Sequence, residues 1–533
     1  MKKNEQIAIT LLAVLLQTTT ALAQHKSEIP VLTGEKWWGA FTALGNMMPL
    51  SEKNTGPYSL GSNNEQNQAV PFLVSNYGRY IWSETPFDFT FDGAKISIDS
   101  PTGGVQVVKA GKNLREAFIL GKNAHFKSDG QLPPALFFSR PQYNTWIELQ
   151  YDQNQADIEK YAADLLANGF PAGILMVDDN WQRYYGNFDF KAERFPDPKG
   201  MIDRLHGKGF KVMLWISPFV SPDSPEFREA QAAGYLIRQK GSDKAALIPW
   251  WNGFSACYDL TNPKAFDHLR QTLKRLQDEY GVDGFKFDAG DTYFYNPQTQ
   301  DYYDTTARAV DHLRKWAELG THFPYNEYRA CWGMQGYPLV QRLSDKNNSW
   351  DALRTLIPEM LNAGIMGYPY TCPDMVGGGQ VADFSAEAQE QLDQDLIVRS
   401  AQLQAMMPMM QFSVAPWRVL DKEHLGYCLA AARLHEKMAP YILETARQAA
   451  LTGEPIVRYM EYMYPKNGFS DCRDQYMLGA KYLVAPILTP DGKRTVRLPR
   501  GVWVDDLGQR FKGPLVIEVS APTGRIPYYE LKR

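Results

Sequence analysis

Cysteine is scarce here. Five thiols (Cys257, Cys331, Cys372, Cys428, Cys472) are scattered through 533 residues, with no C-x-x-C pair and no histidine cluster. That excludes a disulfide-built scaffold and gives no zinc motif; buried free thiols are the expectation. Charge of one sign is also missing. Lys plus Arg number 56 against 60 acidic residues, a formal charge of −4, with no basic run. Nucleic acid is therefore not an expected partner. Beyond the N-terminus no apolar run reaches 18 residues, so no membrane span is expected. Glycine and proline, 41 and 34, follow no period, which excludes collagen and stalk-like chains. Solenoid repeats are absent as well.

Apolar residues, by contrast, are plentiful. The chain is 44% hydrophobic and 13% aromatic, with 13 Trp and 29 Tyr. That is enough apolar surface to offset ordering entropy, so the bulk of the chain folds. The length suits two to four domains, and the aromatics suit sugar or peptide recognition.

Residues 1–23 read MKKNEQIAITLLAVLLQTTTALA. Two lysines, a short apolar core from Ile7 to Leu16 and a small-x-small end at Ala21-Leu22-Ala23 predict a bacterial secretory signal peptide. The mature protein is then expected to begin near Gln24, to be soluble, and to be secreted or periplasmic.

Three regions follow. Residues 24–138 carry short alternating runs (72–82, 87–92, 95–100, 105–110) separated by turn dipeptides, which predict an N-terminal β-sandwich domain. In 139–445 apolar strands alternate with helices. Strand patterns fall at 145–151, 173–179, 210–218, 282–288, 322–328 and 365–370, and helical spacing at 154–169, 201–209, 265–281, 305–319 and 350–364. This predicts an α/β catalytic domain, a (β/α)8 TIM barrel; strands six and eight are the least distinct. Residues 446–533 return to short strands (482–490, 494–499, 502–507, 514–520) and predict a C-terminal β-sandwich-like domain.

Chemistry in such a barrel gathers where strands end. Asp178 and Asp179 end the apolar GILMV; they could equally form a loop turn or cap a helix. In GFKFDAGD (284–291) side chains alternate, so Lys286 and Asp288 share one face and Phe285 and Phe287 the other. A positive neighbour lowers a carboxyl's pKa, and an ionised, fixed carboxylate is what glycoside chemistry uses as a nucleophile. Asp283 lies five residues back, roughly 16 Å away at the opposite rim. Arg329 ends another strand, with Trp332 three residues on. Asp345, after Gln341-Arg342-Leu343-Ser344, suits a general acid and equally suits an N-cap for the helix starting near Ser349.

These residues carry a resemblance. ILMVDDNW through ISPFV (174–220), DGFKFDAGD (283–291), the downstream Arg329, Trp332 and SDKNNSW (344–350), and YMLGAKYLVAPIL (476–488) are together similar to glycoside hydrolase family 31, over about residues 70–510. The resemblance implies a retaining α-glycosidase with Asp288 as nucleophile and Asp345 as acid/base. It implies sugar contacts from Asp178, Asp179, Lys286 and Arg329. Trp146, Trp332 and Trp251 are expected as apolar walls. The K-x-D pattern with the D-D-x-W pair resembles the clan's α-galactosidases, in which one Lys and two Asp grip the axial O4. Ser413 stands where the family's α-glucosidases carry a His. No metal or cofactor is implied; the implied partner is an oligosaccharide or glycoside. The alternatives are an α-glucosidase, α-xylosidase or sulfoquinovosidase of the same family, or a non-catalytic carbohydrate-binding protein.

Overall fold

The computed structural model describes residues 25–63, 65 and 67–532. Residues 1–23, expected as a signal peptide, lie outside the described residues.

Eight short parallel strands form the central sheet in the order in which they occur in the chain. They are β1 (Gln142–Asn144), β2 (Ile174–Val177), β3 (Lys211–Ile216), β4 (Gly284–Phe287), β5 (Tyr325–Tyr328), β6 (Gln341–Arg342), β7 (Thr371–Cys372) and β8 (Gln411–Phe412). β8 pairs in parallel with β1, Gln411 opposite Gln142. The β7–β8 seam has no ladder, and the Val376 N–H donates to the Gln411 carbonyl across it at 2.7 Å. This is a (β/α)8 barrel. Helices follow most strands, among them Gln155–Ala167, Pro198–Gly207, Pro263–Tyr280, Ala309–Gly320, Trp350–Ile365 and Gln394–Ala405. Side-chain caps start several: Asn154, Asp197 and Asn262 each accept a backbone N–H of the first turn.

The structure corrects several strand assignments. Residues 145–151 do not form a strand. Asn144 accepts the N–H of Trp146 at 2.7 Å, which ends β1 and opens a short helix, Trp146–Leu149. The helix before β7 runs to Ile365, so that strand begins at Thr371 rather than within 365–370. Between β5 and β6 no helix forms among the described residues. The N-terminal domain docks there instead. The side-chain amides of Asn67 and Gln68 donate to the carbonyl of Arg329 at 2.7 and 3.2 Å.

That N-terminal domain has two four-stranded antiparallel sheets. One alternates cleanly, buried at every second position of Asp88–Phe91 and Lys95–Ser100. The C-terminal domain is a six-stranded sheet. The runs 494–499 and 502–507 belong there to one strand, Lys493–Asp505, bent at a bulge between Leu498 and Gly501 that accommodates Pro499. All five cysteines are buried and unpaired.

Candidate active site

At the C-terminal mouth of the barrel a cavity of about 290 Å³ is lined by Trp146, Tyr151, Asp178, Asp179, Trp215, Trp251, Lys286, Asp288, Arg329, Arg342, Asp345 and Met375. Eight of the nine residues singled out in the sequence meet there. Trp332 does not. It is 6% exposed and packs in the main hydrophobic core, away from this lining. Its apolar face is used by the protein and not by the cavity.

Strand alternation places the central pair. Lys286 and Asp288 point into the lumen, while Phe285 and Phe287 turn outward onto Phe323 and Trp316. Asp283 immediately precedes β4 at the other end of the barrel, where it bonds the His206 ring at 2.7 Å and the Lys211 ammonium at 2.8 Å.

Asp288 is fixed on both oxygens. The Trp215 indole N–H donates to Oδ2 at 2.8 Å and the Ala289 N–H to Oδ1 at 2.9 Å. Burial pushes its pKa up, but the charges of Arg342, Arg329 and Lys286 outweigh that and hold it at about 2. The carboxylate is ionised throughout the working range. Ala289, immediately after it, sits at φ +57°, a left-handed conformation costing a β-carbon residue roughly 1–2 kcal/mol.

Arg342, an unassigned part of the sequence motif, stands between the two principal carboxyls. Its Nη1 lies 2.7 Å from Asp345 Oδ1 and its Nη2 3.7 Å from Asp288 Oδ1. Asp345 is free to face the cavity because Ser349, not Asp345, caps the following helix. Trp215 likewise escaped notice, since it lies in the apolar run KVMLWI and only its pairing opposite Lys286 reveals its face.

On the β2 side, the Asp178 carboxylate accepts the buried Lys286 ammonium at 2.6 Å. Burial lowers the Lys286 pKa, but Asp178 more than restores it, so Lys286 remains charged. Asp178 caps no helix; its Oδ1 accepts the N–H of Asp179 at 2.9 Å, and its own N–H donates to Thr145 Oγ1 at 3.0 Å. Asp179 is held by the side-chain amide of Asn252 at 2.8 Å. Burial, then Asp178, raise its pKa to about 7. Arg329 pairs with Asp291 at 3.0 Å and lies 5.3 Å above the Trp251 ring. Trp146 meets Tyr151 edge-on at 5.4 Å.

Every cation lining the cavity therefore has an acidic partner: Lys286 with Asp178, Arg342 with Asp345, Arg329 with Asp291. Two carboxyls, one ionised and held rigidly, flank a space with aromatic walls. That arrangement can perform nucleophilic and proton-transfer chemistry at one carbon. Among the described residues, no cluster of three His, Cys, Asp or Glu is placed to hold a metal ion. No described helix is long and apolar enough to cross a membrane.

The comparisons with known proteins agree with this geometry. Residues 131–445 match the glycosyl hydrolases family 31 TIM-barrel domain, and 453–530 the family's C-terminal domain. The myogenesis-regulating glycosidase of Mus musculus is 33% identical over 403 residues, covering 74% of this chain and 56% of that protein. The alpha-xylosidase XylQ of Lactiplantibacillus pentosus is 26% identical, covering 85% of this chain and 61% of that protein. This chain thus spans somewhat under two thirds of the length of these relatives. Among solved structures, a GH31 alpha-xylosidase from a soil metagenome, complexed with xylose, superposes with a TM-score of 0.83 at 20% identity, covering 96% of this chain and 79% of that one. On the match of its barrel and C-terminal domains, this chain belongs to glycosyl hydrolase family 31.

Proposed function

We propose that this protein is an exported, retaining exo-α-glycosidase that removes terminal α-linked galactose. The observation that carries the reading is the grouping of Asp178, Asp179 and Lys286 beside an ionised Asp288 in one cavity. An axial O4 meets one ammonium donor and two acidic acceptors there. An equatorial O4 points elsewhere and leaves the buried Oδ1 of Asp179, which has no partner among the described residues, unpaired, and that costs rate. The cavity, at about 290 Å³, lies at the small end of ligand pockets and suits one sugar ring rather than a chain segment.

In this scheme Asp288 attacks the anomeric carbon while Asp345, protonated, gives its proton to the leaving oxygen. The C–O bond to the aglycone breaks and a β-linked glycosyl-enzyme forms. Asp345 then takes a proton from water, which attacks from the vacated side and releases the sugar with its α configuration. Trp215, Ala289 and Arg342 hold the nucleophile. Arg329, Asp178, Asp179 and Lys286 grip the ring, with Trp146 and Trp251 as walls. Export rests on the leader at 1–23, and its cleavage is tested by N-terminal sequencing of the secreted form.

A sulfonated sugar is disfavoured by the pairing of every lining cation with an acid. An α-xyloside remains the second reading, because relatives named alpha-xylosidase match most of this chain. The test is turnover of the 4-nitrophenyl α-glycosides of galactose, glucose, xylose and sulfoquinovose in parallel. A clear preference for galactose is expected. Preference for another sugar would discard the O4 assignment, and no turnover of any would favour a binding protein.

A further inference from the structure

The turn after β7 holds a carboxyl that this scheme leaves unused. Asp374 is buried at 3% exposure and does not line the cavity. Its Oδ2 accepts, at 2.6 Å, the N–H of Lys346, the peptide immediately after Asp345. Its Oδ1 makes no hydrogen bond of good geometry among the described residues. From the same turn the N–H of Gly379 donates to the carbonyl of Lys346 at 3.0 Å. Lys346 is thus clamped at both its backbone groups. The fit leaves no slack: a Cβ on Gly378 would stand 2.4 Å from the Lys346 oxygen, and one on Gly379 3.0 Å from Cβ and Cγ of Asp345.

The clamp is itself anchored. The Gln404 amide donates to the Asp374 carbonyl at 2.5 Å, and its oxygen accepts the Gln411 N–H at 3.1 Å, where β8 begins. The Lys346 side chain turns away to pair with Glu359 at 2.8 Å, so its charge does not neutralise Asp374. Burial first, and Asp345 second, push the Asp374 pKa up to about 7. A buried carboxyl next to another acid is costly to keep where a neutral side chain could fill the space.

We propose that Asp374 is a positioning residue for the acid/base carboxyl: it fixes the Asp345–Lys346 peptide so that the Asp345 side chain stays aimed at the glycosidic oxygen. The inference rests on the assignment of Asp345 as acid/base. A proton donor works only within hydrogen-bond reach, and a displacement of about 1 Å can cost ~100-fold in rate. The loss should fall on substrates that need the proton.

The experiment compares Asp374→Asn, Asp374→Ala and the reference variant Asp345→Ala. Each is assayed on a methyl α-glycoside, which needs acid help, and an α-glycosyl fluoride, which does not, on the sugar the panel above selects. Asn keeps an acceptor oxygen for the Lys346 N–H and is expected to stay within about threefold of wild type, since it preserves the bond. Ala is expected to lose at least ~10-fold more kcat on the methyl glycoside than on the fluoride, with KM little changed. Equal loss on both substrates, or an Asn variant as impaired as Ala, would overturn the proposal. If Asp345→Ala itself shows no leaving-group bias, the acid/base assignment fails and this inference with it. Should the Ala variant not fold, Asp374→Ser, too short to reach Lys346, takes its place with the same expected bias.

Discussion

The residues of the candidate site are expensive to bury, and their cost can be measured. Burial and the neighbouring Asp178 raise the Asp179 pKa in the folded state to about 7, well above the ordinary carboxyl range. Between the two the folded state binds a proton that the unfolded state has released. Asp179 therefore takes stability away as pH rises through that window, and the full cost stands above pH 7. Asp179→Asn removes it. The variant is expected to melt above wild type at pH 8, with the gain shrinking toward pH 4, while turnover falls. Each ~1 kcal/mol gained reads as roughly 1 °C in scanning calorimetry of a chain this long. A gain independent of pH would contradict the assignment. Trp215 gives a second test. Its indole N–H supports an ionised carboxylate, a bond worth about 1.5–3 kcal/mol. Trp215→Phe should cost ~10–100-fold in kcat and also lower the melting temperature, because a buried bond and part of a fully buried ring are lost together. Of these residues the sequence revealed those that end strands, because a carboxylate at the mouth of an apolar run has few other reasons to be there. It hid Trp215 and Arg342. Trp215 lies inside β3, where the lumen face is known only once the neighbouring strand and its register are known, and Arg342 ends a strand of two residues that no period announces.

Elements carry some of the specificity into the site. After β3 the chain leaves the barrel as a small antiparallel sheet, Phe219–Val220, Ile248–Trp250 and Gly253–Cys257. Phe219, Ile248 and Phe294 pack beneath it in a cluster of their own. Its hairpin tip presents Trp251 to the cavity and Asn252 to Asp179. Asn252→Ala should therefore raise KM by about tenfold, the equivalent of one hydrogen bond to a charged group, and lower kcat less. An unchanged KM would show that the hairpin has no part in gripping the sugar. Long elements were readable because they repeat a period several times, as in the helix Pro263–Tyr280 and strand β3. Elements of two residues, such as β6, β7 and β8, contain no period to read. The end of β1 depends on one side-chain bond from Asn144, which overrides the apolar pattern of 145–151.

At the scale of the whole molecule, the N-terminal domain is packed and hydrogen-bonded onto the barrel beside the candidate site. The turn at Thr42–Met47 packs on the helix Trp350–Ile365 so closely that a Cβ on Gly45 would lie 2.4 Å from the Glu359 Cα and the Pro358 oxygen. The Asn362 amide donates across the same junction to the carbonyl of Phe41 at 2.7 Å. The amides of Asn67 and Gln68 hold the carbonyl of Arg329, a cavity residue. Gly45→Val should therefore lower both the melting temperature and the activity, by prising the domain off the barrel rather than by touching the sugar. The stability loss is expected at ~1–3 kcal/mol, the usual cost of overpacking. A folded, fully active variant would contradict this coupling.

The central claim is a double displacement at an α-galactoside, with Asp288 as the attacking group and Asp345 as the proton donor. Proton NMR of 4-nitrophenyl α-galactoside during the first minutes of hydrolysis tests it most directly. The α anomer of free galactose should appear first and the β anomer only later, by mutarotation. Release of the β anomer first, or no release of galactose at all, would contradict it.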